Sequence, residues 1–364
     1  MGREASTAVT ISRQRLLEYL QARFGPVELL ELRELGEGSD AGLKEYGYGR
    51  PLLVRYRAGT EERQLVLRTM AADPFGHDRR ADRVGTLVLA FDSFGGVPGH
   101  IRPLDVGLFD RDGRLHSFPE GEPYLVTEYV PGRLYAGTLR AAVEQGEASA
   151  LEKDRAVALA RYLASLHAQD APRGTYGRAL RDLVGSGEGI FGLCDAYAAE
   201  DPVATPARLE ALEEAAVRWR WRLKSLRRPS RRTHGDFHPF NILFREGTDF
   251  SVLDASRGVA GEPADDLTCL SINYLFFALL ARGEVSGAGV ELFRLFWSSY
   301  LELAQDREVL AVVAPYFAWR ALVLACPLWY PEVSPASRQR VLRFAERLLA
   351  GEPFDPACPE ALFR

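Results

Sequence analysis

Hydrophobic positions in the first third of the chain follow the short patterns of β-strands, separated by turns that contain glycine or proline. These patterns predict strands at Val27–Leu35, Leu52–Arg57, Gln64–Met70, Leu104–Phe109 and Pro123–Tyr129. Helical spacing predicts one helix near Ser12–Phe24 and a second at Asp78–Phe94. The sequence Pro131-Gly132 marks the best boundary in the chain, so we predict that the N-terminal domain ends at residue 130.

From residue 131 to residue 364, the hydrophobic positions mostly follow helical spacing. The predicted helices are a segment that ends at His167, and Pro206–Leu226, Asp265–Ala281, Glu291–Gln305, Val309–Leu328 and Pro335–Ala350. Two short runs, Asn241–Phe244 and Phe250–Leu253, predict a hairpin that turns at Glu246-Gly247-Thr248. Strands followed by helices predict an α+β protein with two domains, 1–130 and 131–364.

Composition narrows the class of protein. The 364 residues are 47% hydrophobic and 26% charged, which is the balance of a chain that buries a large core. The net charge of −5 gives no reason to expect nucleic acid as a partner, although all but three of the 45 basic residues are arginines. Four widely spaced cysteines form no C-x-x-C pair, so we expect no zinc site, no disulfide framework and a cytoplasmic location.

One apolar stretch, Val309–Pro331, is long enough to suggest a membrane span. Pro315 and Pro327 interrupt it, and Arg320 lies near its middle, where a charge is costly in lipid. We therefore predict a buried helix and no membrane association. A buried guanidinium needs an anionic partner, which for Arg320 is either an internal acid or an anionic group of the substrate.

The segment Thr233–Phe244 carries the most specific chemical signal in the chain. It places the carboxylate of Asp236 and the amide of Asn241 on one tight loop, and Asp254 follows after the predicted hairpin. Phosphoryl transfer requires these groups, namely a carboxylate that accepts the hydroxyl proton and oxygen ligands that hold Mg²⁺ against nucleotide phosphates. A polar turn and a strand end would explain each residue alone, but not their combined spacing.

Three segments, His234–Phe244, Asp254 and Gly261–Leu267, resemble the aminoglycoside phosphotransferase family, whose members are relatives of protein kinases and include choline and other small-molecule kinases. The resemblance implies a protein-kinase-like two-lobed fold. Residues 1–130 would form a nucleotide-binding N-lobe, and residues 131–364 would form a helical C-lobe with the catalytic loop and the acceptor site. The resemblance also implies Mg²⁺ as cofactor and ATP or GTP as co-substrate.

The family pattern assigns a role to each matching residue of the catalytic loop. Asp236 would be the catalytic base, and Asn241 and Asp254 would be the metal ligands. His234 would be mainly structural. Asp266 would brace the catalytic loop through hydrogen bonds without taking part in the chemistry.

His238 stands two residues after Asp236, where protein kinases carry a lysine near the transferred phosphate. One interpretation makes it a catalytic residue, which contacts the γ-phosphate as a cation or as a hydrogen-bond donor. The other makes it a side chain that orders the loop. The sequence leaves both open.

Two further segments match the family's nucleotide-binding elements. Gly36, Gly38 and Ser39 follow the first predicted strand, where glycine lets backbone N–H groups approach phosphate oxygens. The segment Tyr124–Gly132 resembles the strand and hinge that meet the purine. The backbone groups expected at that position belong to Glu128, Tyr129 and Val130.

The lysine with which kinases hold the α- and β-phosphates is missing from the strand Gln64–Met70, and none of the three lysines lies there. Arg68 occupies its position, and a guanidinium can bind phosphate oxygens through two hydrogen bonds. The helix residue that pairs with this cation is best matched by Asp82. The alternative for Asp82 is an exposed helical aspartate.

The acceptor site is the least defined part of the sequence. Acidic residues of the C-lobe could bind a cationic acceptor, although a solvated surface acid is the simpler explanation of each. The candidates are Asp195, Glu188, Glu262 and Asp265. Asp254 is followed by Ala255-Ser256, where many relatives carry an aromatic residue and a second acid. Unlike the acidic candidates, Arg320 would suit an anionic acceptor.

These observations predict a small-molecule kinase that transfers the γ-phosphoryl group of ATP or GTP to a hydroxyl group, as aminoglycoside phosphotransferases do. One alternative is a metabolite kinase whose acceptor is an amino alcohol, a sugar or an anion. The other is a nucleotide-binding pseudokinase, although the presence of Asp236, Asn241 and Asp254 disfavours it. The acceptor, the nucleotide and the oligomeric state are not determined by the sequence.

Overall fold

The computed structural model describes residues 11–35, 51–73, 76–172 and 174–363. The chain divides into two units, Met1–Thr127 and Glu128–Arg364, called here the N-terminal unit and the C-terminal unit. Strands dominate the first unit and helices the second, so the predicted α+β class is confirmed.

The N-terminal unit contains an antiparallel sheet of three strands in the order β1 (Val27–Glu34), β2 (Leu52–Ala58) and β3 (Glu61–Leu67). The predicted turn between β2 and β3 is present, with Gly59 at a positive φ of 60°. Helix α1 (Arg13–Phe24) begins after Ser12, whose Oγ accepts a hydrogen bond from the backbone N–H of Arg15 at 3.2 Å. Four buried side chains of helix and sheet form the centre of this core: Leu16, Leu20, Val54 and Tyr56.

The rest of the N-terminal unit is thinly packed. Helix α2 (Arg80–Phe94) buries none of its residues, and β4 (Gly107–Phe109) and β5 (Leu115–Ser117) form a separate two-stranded ribbon. The predicted strand at Pro123–Tyr129 is wrong, because these residues pair with no other strand. Strand propensity alone is a weak force, and without a neighbouring strand the side chains of Tyr124 and Tyr129 stay 89% and 88% exposed.

The C-terminal unit is built mainly from helices around one continuous hydrophobic core. The helices are α3 (Tyr135–Gln145), α4 (Ala150–His167), α5 (Thr175–Gly185), α6 (Ile190–Asp195), α7 (Pro206–Leu226), α8 (Ala264–Arg282), α9 (Ala288–Ala304), α10 (Val313–Ala325) and α11 (Pro335–Leu349). Helix α10 is buried along almost its whole length, which confirms the buried helix predicted around Arg320. Of the described helices, only α8 is long and apolar enough to cross a membrane, and 83% of its apolar window is buried inside the protein.

Two small sheets position the catalytic segments of the C-terminal unit. One has the strand order β6 (Arg133–Leu134), β8 (Ile242–Phe244) and β9 (Phe250–Val252), and the other pairs β7 (Arg231–Arg232) with β10 (Ala260–Gly261). The chain passes from β7 to β8 through residues 233–241, and from β9 to β10 through residues 253–259. Both loops therefore connect the same two sheets, which brings Asp236 and Asp254 into one region.

Candidate active site

The loop from β7 to β8 turns sharply at Gly235. Its φ of +85° is a backbone conformation that side chains disfavour, and a Cβ atom at this position would lie 2.8 Å from the carbonyl oxygen of Gly258. The ring of His234 is buried, and its Nδ1 accepts a hydrogen bond from the backbone N–H of Asp236 at 3.3 Å. The two loops are thus in close backbone contact directly beside the predicted base.

Asp266, in the first turn of α8, supports this loop from the core. Its fully buried carboxylate accepts hydrogen bonds from the backbone N–H groups of His234 at 2.7 Å and Gly235 at 2.8 Å, so the predicted bracing bonds are present. His167 Nε2 lies 3.0 Å from the same carboxylate, and its Nδ1 lies 2.9 Å from the hydroxyl of Tyr300. His167, which ends α4, was predicted only as a helix terminus.

The electrostatics of Asp266 favour its ionised form. Burial opposes ionisation, but the hydrogen bonds from His167 and from the two loop amides outweigh it, so the pKa of Asp266 lies below its ordinary value. A carboxylate that accepts several hydrogen bonds in a dry environment is held firmly in one orientation. The backbone on which Asp236 sits is therefore fixed by a buried negative charge.

Asp236 is itself buried, and both of its oxygens face hydrogen-bond donors. Oδ1 accepts from Nη1 of Arg257 at 2.6 Å and from Nη1 of Arg320 at 3.4 Å. Oδ2 lies 3.4 Å from Nδ2 of Asn241 and 3.5 Å from Nε2 of His238. These contacts converge on the carboxylate that the sequence predicts to be the catalytic base.

The charges around Asp236 keep it ionised. Burial raises the cost of its negative charge, but the hydrogen bond from His238 and the guanidinium groups of Arg320 and Arg257 more than compensate, so the pKa of Asp236 lies well below its ordinary value. An ionised carboxylate can accept a hydrogen bond from a hydroxyl group and orient its oxygen for attack. Asp236 is therefore equipped to position an acceptor.

Arg257 is the functional residue that the sequence did not reveal. It lies three residues after Asp254 in the loop between β9 and β10, and it also donates from Nε to the carboxylate of Glu188 at 2.7 Å. A single arginine in a chain with so many of them carries no recognisable signal. Only the approach of the two loops, set in part at Gly235, shows that it reaches Asp236.

Asn241 and Asp254 are the predicted metal ligands. Asn241 donates from Nδ2 to the backbone oxygen of Asp236 at 3.1 Å, which leaves Oδ1 as an acceptor without a hydrogen bond in the described part of the chain. The backbone N–H of Leu253 donates to the carbonyl oxygen of Asn241 at 2.8 Å. Asp254 is the residue after Leu253, so the hairpin brings its backbone close to that of Asn241. Asp254 has a left-handed backbone with φ of 53° and is exposed.

This pair of oxygen donors fits Mg²⁺. Magnesium is usually bound by one or two carboxylates together with substrate phosphates, and it does not need a cage of protein ligands. Within the described ranges, no group of three or more histidine, cysteine, aspartate or glutamate side chains could hold a metal. An amide oxygen and an exposed carboxylate are thus a suitable partial shell that phosphate oxygens would complete.

His238 orders the loop through its own ring. Its Nδ1 accepts a hydrogen bond from the backbone N–H of Phe240 at 3.2 Å, at the start of the short helical turn Pro239–Asn241. A ring nitrogen that accepts carries no proton, so the proton is on Nε2, which faces Asp236. The loop-ordering interpretation therefore matches the observed contacts, and the proposed contact of His238 with phosphate stays a prediction.

Arg320 makes its contacts inside the protein. Its buried guanidinium pairs with Asp265 and Asp236, and it lies 3.9 Å above the ring of Trp319. Burial raises the pKa of Asp265 to about 6, against the opposing charge of Arg320. The observed partners are those of the internal-acid interpretation of Arg320.

Glu262 is the clearest correction among the predicted acceptor residues. It is 1% exposed, and its carboxylate accepts hydrogen bonds from Nε of Arg228 at 2.9 Å and from the hydroxyl of Tyr176 at 3.0 Å. A carboxylate that is buried and fully paired cannot receive an acceptor from solvent, so Glu262 is structural. Asp195 is exposed at the end of α6, and Glu188 is exposed beside Arg257.

Residues 53–290 match the family model described as the phosphotransferase enzyme family. The chain belongs to this phosphotransferase family. The match contains the catalytic loop, Asp254 and Asp266, so the resemblance predicted from those residues is confirmed. The protein is accordingly a small-molecule phosphotransferase, a kinase that acts on hydroxyl groups.

Among solved structures, the phosphotransferase is similar over nearly its whole length to proteins of low sequence identity. The gentamicin complex of APH(2″)-IIa is 14% identical, with 98% of this chain and 99% of that chain covered and a TM-score of 0.36. Choline kinase from Cryptosporidium parvum Iowa II is 10% identical, with 97% and 93% covered and a TM-score of 0.37. Macrolide 2′-phosphotransferase type I is 20% identical, with 94% and 98% covered and a TM-score of 0.31. No curated protein matches the chain significantly.

The structure describes only some of the nucleotide-binding residues predicted for the phosphotransferase. Gly36, Gly38 and Ser39 lie outside the described residues. Arg68 follows the end of β3, is exposed, and makes no hydrogen bond or ion pair with another described residue. The predicted pair with Asp82 is therefore not formed, and Asp82 instead accepts the backbone N–H of Arg79 at 2.9 Å at the start of α2.

The predicted hinge has no regular structure. Glu128 and Tyr129 are exposed and Val130 is half-buried, in a segment without strand pairing. Backbone N–H and C=O groups in such a segment are not used by a sheet, so they remain able to bind a polar ring edge. The roles of these three residues and of Arg68 in nucleotide binding stay predictions.

Proposed function

We propose that this phosphotransferase moves the γ-phosphoryl group of ATP to a hydroxyl group of a small molecule, with Mg²⁺ as cofactor. The observation that carries the proposal is Asp236, a buried but ionised carboxylate that faces Asn241 and precedes Asp254. The oxygen of the acceptor attacks the γ-phosphorus while the bond to the bridging oxygen of ADP breaks. The hydroxyl proton passes to Asp236, and ADP leaves.

The residues of the C-terminal unit contribute mainly by positioning. Asp236 accepts the hydrogen bond of the acceptor hydroxyl, while Asn241 and His238 hold its second oxygen in place. Asn241 Oδ1 and Asp254 are the groups that would hold Mg²⁺, which when bound neutralises charge on the phosphate oxygens. Asp266 acts through the loop backbone and does not touch the reacting atoms.

The test is a coupled assay of ADP release with ATP, Mg²⁺ and a panel of hydroxylated compounds that includes aminoglycosides, amino alcohols, sugars and hydroxy acids. A true acceptor gains about 80 Da, the mass of one phosphoryl group, and its turnover disappears in the Asp236→Asn variant. GTP in place of ATP in the same assay determines the nucleotide. If the wild type releases no more ADP than Asp236→Asn with every acceptor and nucleotide, the proposal is wrong.

A further inference from the structure

Arg257 lies between the catalytic carboxylate and solvent. Its Nη1 donates to Asp236 Oδ1 at 2.6 Å, and its Nε donates to Glu188 Oε2 at 2.7 Å. The side chain of Arg257 is 26% exposed, whereas that of Glu188 is 70% exposed. One guanidinium therefore joins the buried base to a largely exposed acid.

Glu188 uses only part of the guanidinium edge of Arg257 that could bind an anion. Nε and Nη2 form one edge of a guanidinium, which matches the two oxygens of a carboxylate or phosphate group. Glu188 occupies only Nε, and Nη2 has no hydrogen-bond partner among the described residues. An ion pair whose acid is 70% exposed contributes little stability, so a better anion can replace it.

The two arginines beside the base differ in how firmly their acidic partners are held. Asp265 neutralises Arg320, but Arg257 is shared between Asp236 and the weakly held Glu188. Both guanidinium groups also lie over the ring of Trp319, Arg257 at 5.1 Å and Arg320 at 3.9 Å. An ammonium group at the exposed edge of Arg257 would meet a positive charge, whereas an anion would be attracted.

We infer that the acceptor carries a carboxylate or phosphate group, which binds the Nε and Nη2 edge of Arg257 in place of Glu188 while its hydroxyl group faces Asp236. This inference rests on the proposed function, because it names the class of acceptor for that reaction. The acceptor's anionic group and its reacting hydroxyl then lie on two edges of one guanidinium, so Arg257 both selects the acceptor and orients it.

The first experiment identifies the charge of the acceptor without assuming its structure. A small-molecule extract of the source organism is separated into anionic, neutral and cationic fractions, and each is incubated with the protein, ATP and Mg²⁺. We expect acceptor-dependent ADP release and a phosphorylated product from the anionic fraction. Treatment of that fraction with a phosphatase, which is then removed, distinguishes the two anions, because only a phosphate-bearing acceptor loses its turnover.

The second experiment tests Arg257 with variants that change the acceptor KM in opposite directions. Arg257→Gln loses two charged hydrogen bonds, so it should raise the KM for the acceptor about 10- to 100-fold without changing the KM for ATP. Arg257→Lys keeps the positive charge and should restore part of the affinity for the acceptor. Glu188→Gln removes the competing anion and should lower the acceptor KM severalfold. The matched control is Arg245→Gln, because Arg245 is 30% exposed and pairs with an exposed acid, Asp249, at 2.6 Å.

The outcomes separate the inference from the proposed function. Turnover confined to the cationic or neutral fraction, or an acceptor KM in Arg257→Gln equal to that in Arg245→Gln, overturns the inference and leaves the kinase reaction intact. An acceptor KM that rises in Glu188→Gln also contradicts it. Only the absence of turnover in all fractions, relative to Asp236→Asn, contradicts the proposed function itself.

Discussion

The two units differ in how firmly they hold their functional residues. In the C-terminal unit, a continuous core surrounds the helices that carry His167 and Asp266, and these side chains fix the catalytic loop through buried hydrogen bonds. In the N-terminal unit, the described core centres on only four buried side chains, and α2 buries none. Of the residues predicted to grip the nucleotide there, Arg68 is exposed, Asp82 is half-buried, and Gly36, Gly38 and Ser39 lie outside the described ranges.

This difference teaches where rigidity is needed for phosphoryl transfer. The base must hold one geometry relative to the reacting hydroxyl, and preorganised charges lower the barrier only if they do not relax. A long, exposed arginine can bind nucleotide phosphates without being held in place beforehand, and Arg68 is predicted to do so. Substitutions in the C-terminal unit should therefore affect rate and stability, and those in the N-terminal unit should affect nucleotide affinity.

The largest effect is expected at the base. Asp236→Asn keeps the size of the side chain but removes the proton acceptor, so kcat should fall by about 10³-fold, equivalent to about 4 kcal/mol. Steady-state assays measure kcat, and nucleotide binding by calorimetry should be almost unchanged. A variant that retained more than a tenth of the activity would show that the firmly held unit does not contain the base.

The next largest effect is expected where the loop is braced. Asp266→Asn removes a buried charge that accepts two backbone N–H groups and a hydrogen bond from His167, so unfolding should become easier by about 3 kcal/mol near neutral pH. Urea denaturation measures this loss. The control is Glu152→Gln, which breaks a buried acid–arginine pair away from the loop. An equal loss of stability in this control, together with an unchanged kcat in Asp266→Asn, would contradict a bracing role.

The loss of stability in Asp266→Asn should depend on pH. Because the pKa of Asp266 is lower in the folded protein than its ordinary value near 4, its ionised form stabilises the fold above about pH 4, and this stabilisation is lost as the pH falls toward the folded-state pKa. The difference in unfolding free energy between wild type and Asp266→Asn should therefore be largest at neutral pH and shrink in acid. A difference that stayed constant from pH 7 to pH 3 would show that the charge is not responsible.

A smaller effect is expected in the N-terminal unit. Arg68→Ala should raise the KM for ATP about tenfold, or about 1.4 kcal/mol, without changing stability, because Arg68 has no described partner in the folded protein. Arg63→Ala is the matched control, since Arg63 is an exposed arginine of β3 that pairs with Glu61 at 2.8 Å. Replacement of all three lysines should leave the KM for ATP nearly unchanged. A large increase of this KM would show that a lysine, and not Arg68, contacts the phosphates.

The catalytic loop was predictable because its chemical groups belong to residues that are close together in the sequence. Asp236 and Asn241 precede the β8–β9 hairpin and Asp254 follows it, so a hairpin in this segment is enough to bring them together. The partners of Asp236 were not predictable, because Arg257 and Arg320 are 21 and 84 residues away in the chain and reach it only through the packing of the loops and of α10.

Two segments differ from the prediction, for different reasons. Helix α5 (Thr175–Gly185) is absent from the predicted helices, although Leu180, Leu183 and Val184, which are buried against the core, follow helical spacing. The segment Pro123–Tyr129 has strand propensity but no strand beside it, and it stays irregular. Patterns of buried residues are reliable where a large core exists, and much less so in the N-terminal unit.

The smallest effect is expected when the same substitution, serine to alanine at a helix N-cap, is made in both units. Ser12 caps α1 and Ser149 caps α4, and each accepts a backbone N–H through Oγ at 3.2 Å, so either serine-to-alanine substitution removes about 1 kcal/mol of local helix stability. Helix α4 is anchored by buried residues that include Leu159 and Leu163, whereas α1 has only Leu16 and Leu20. Amide hydrogen exchange should therefore accelerate severalfold throughout α1 in Ser12→Ala, but only in the first turn of α4 in Ser149→Ala. Equal acceleration in both helices would mean that the two units are equally stable despite the difference in their cores.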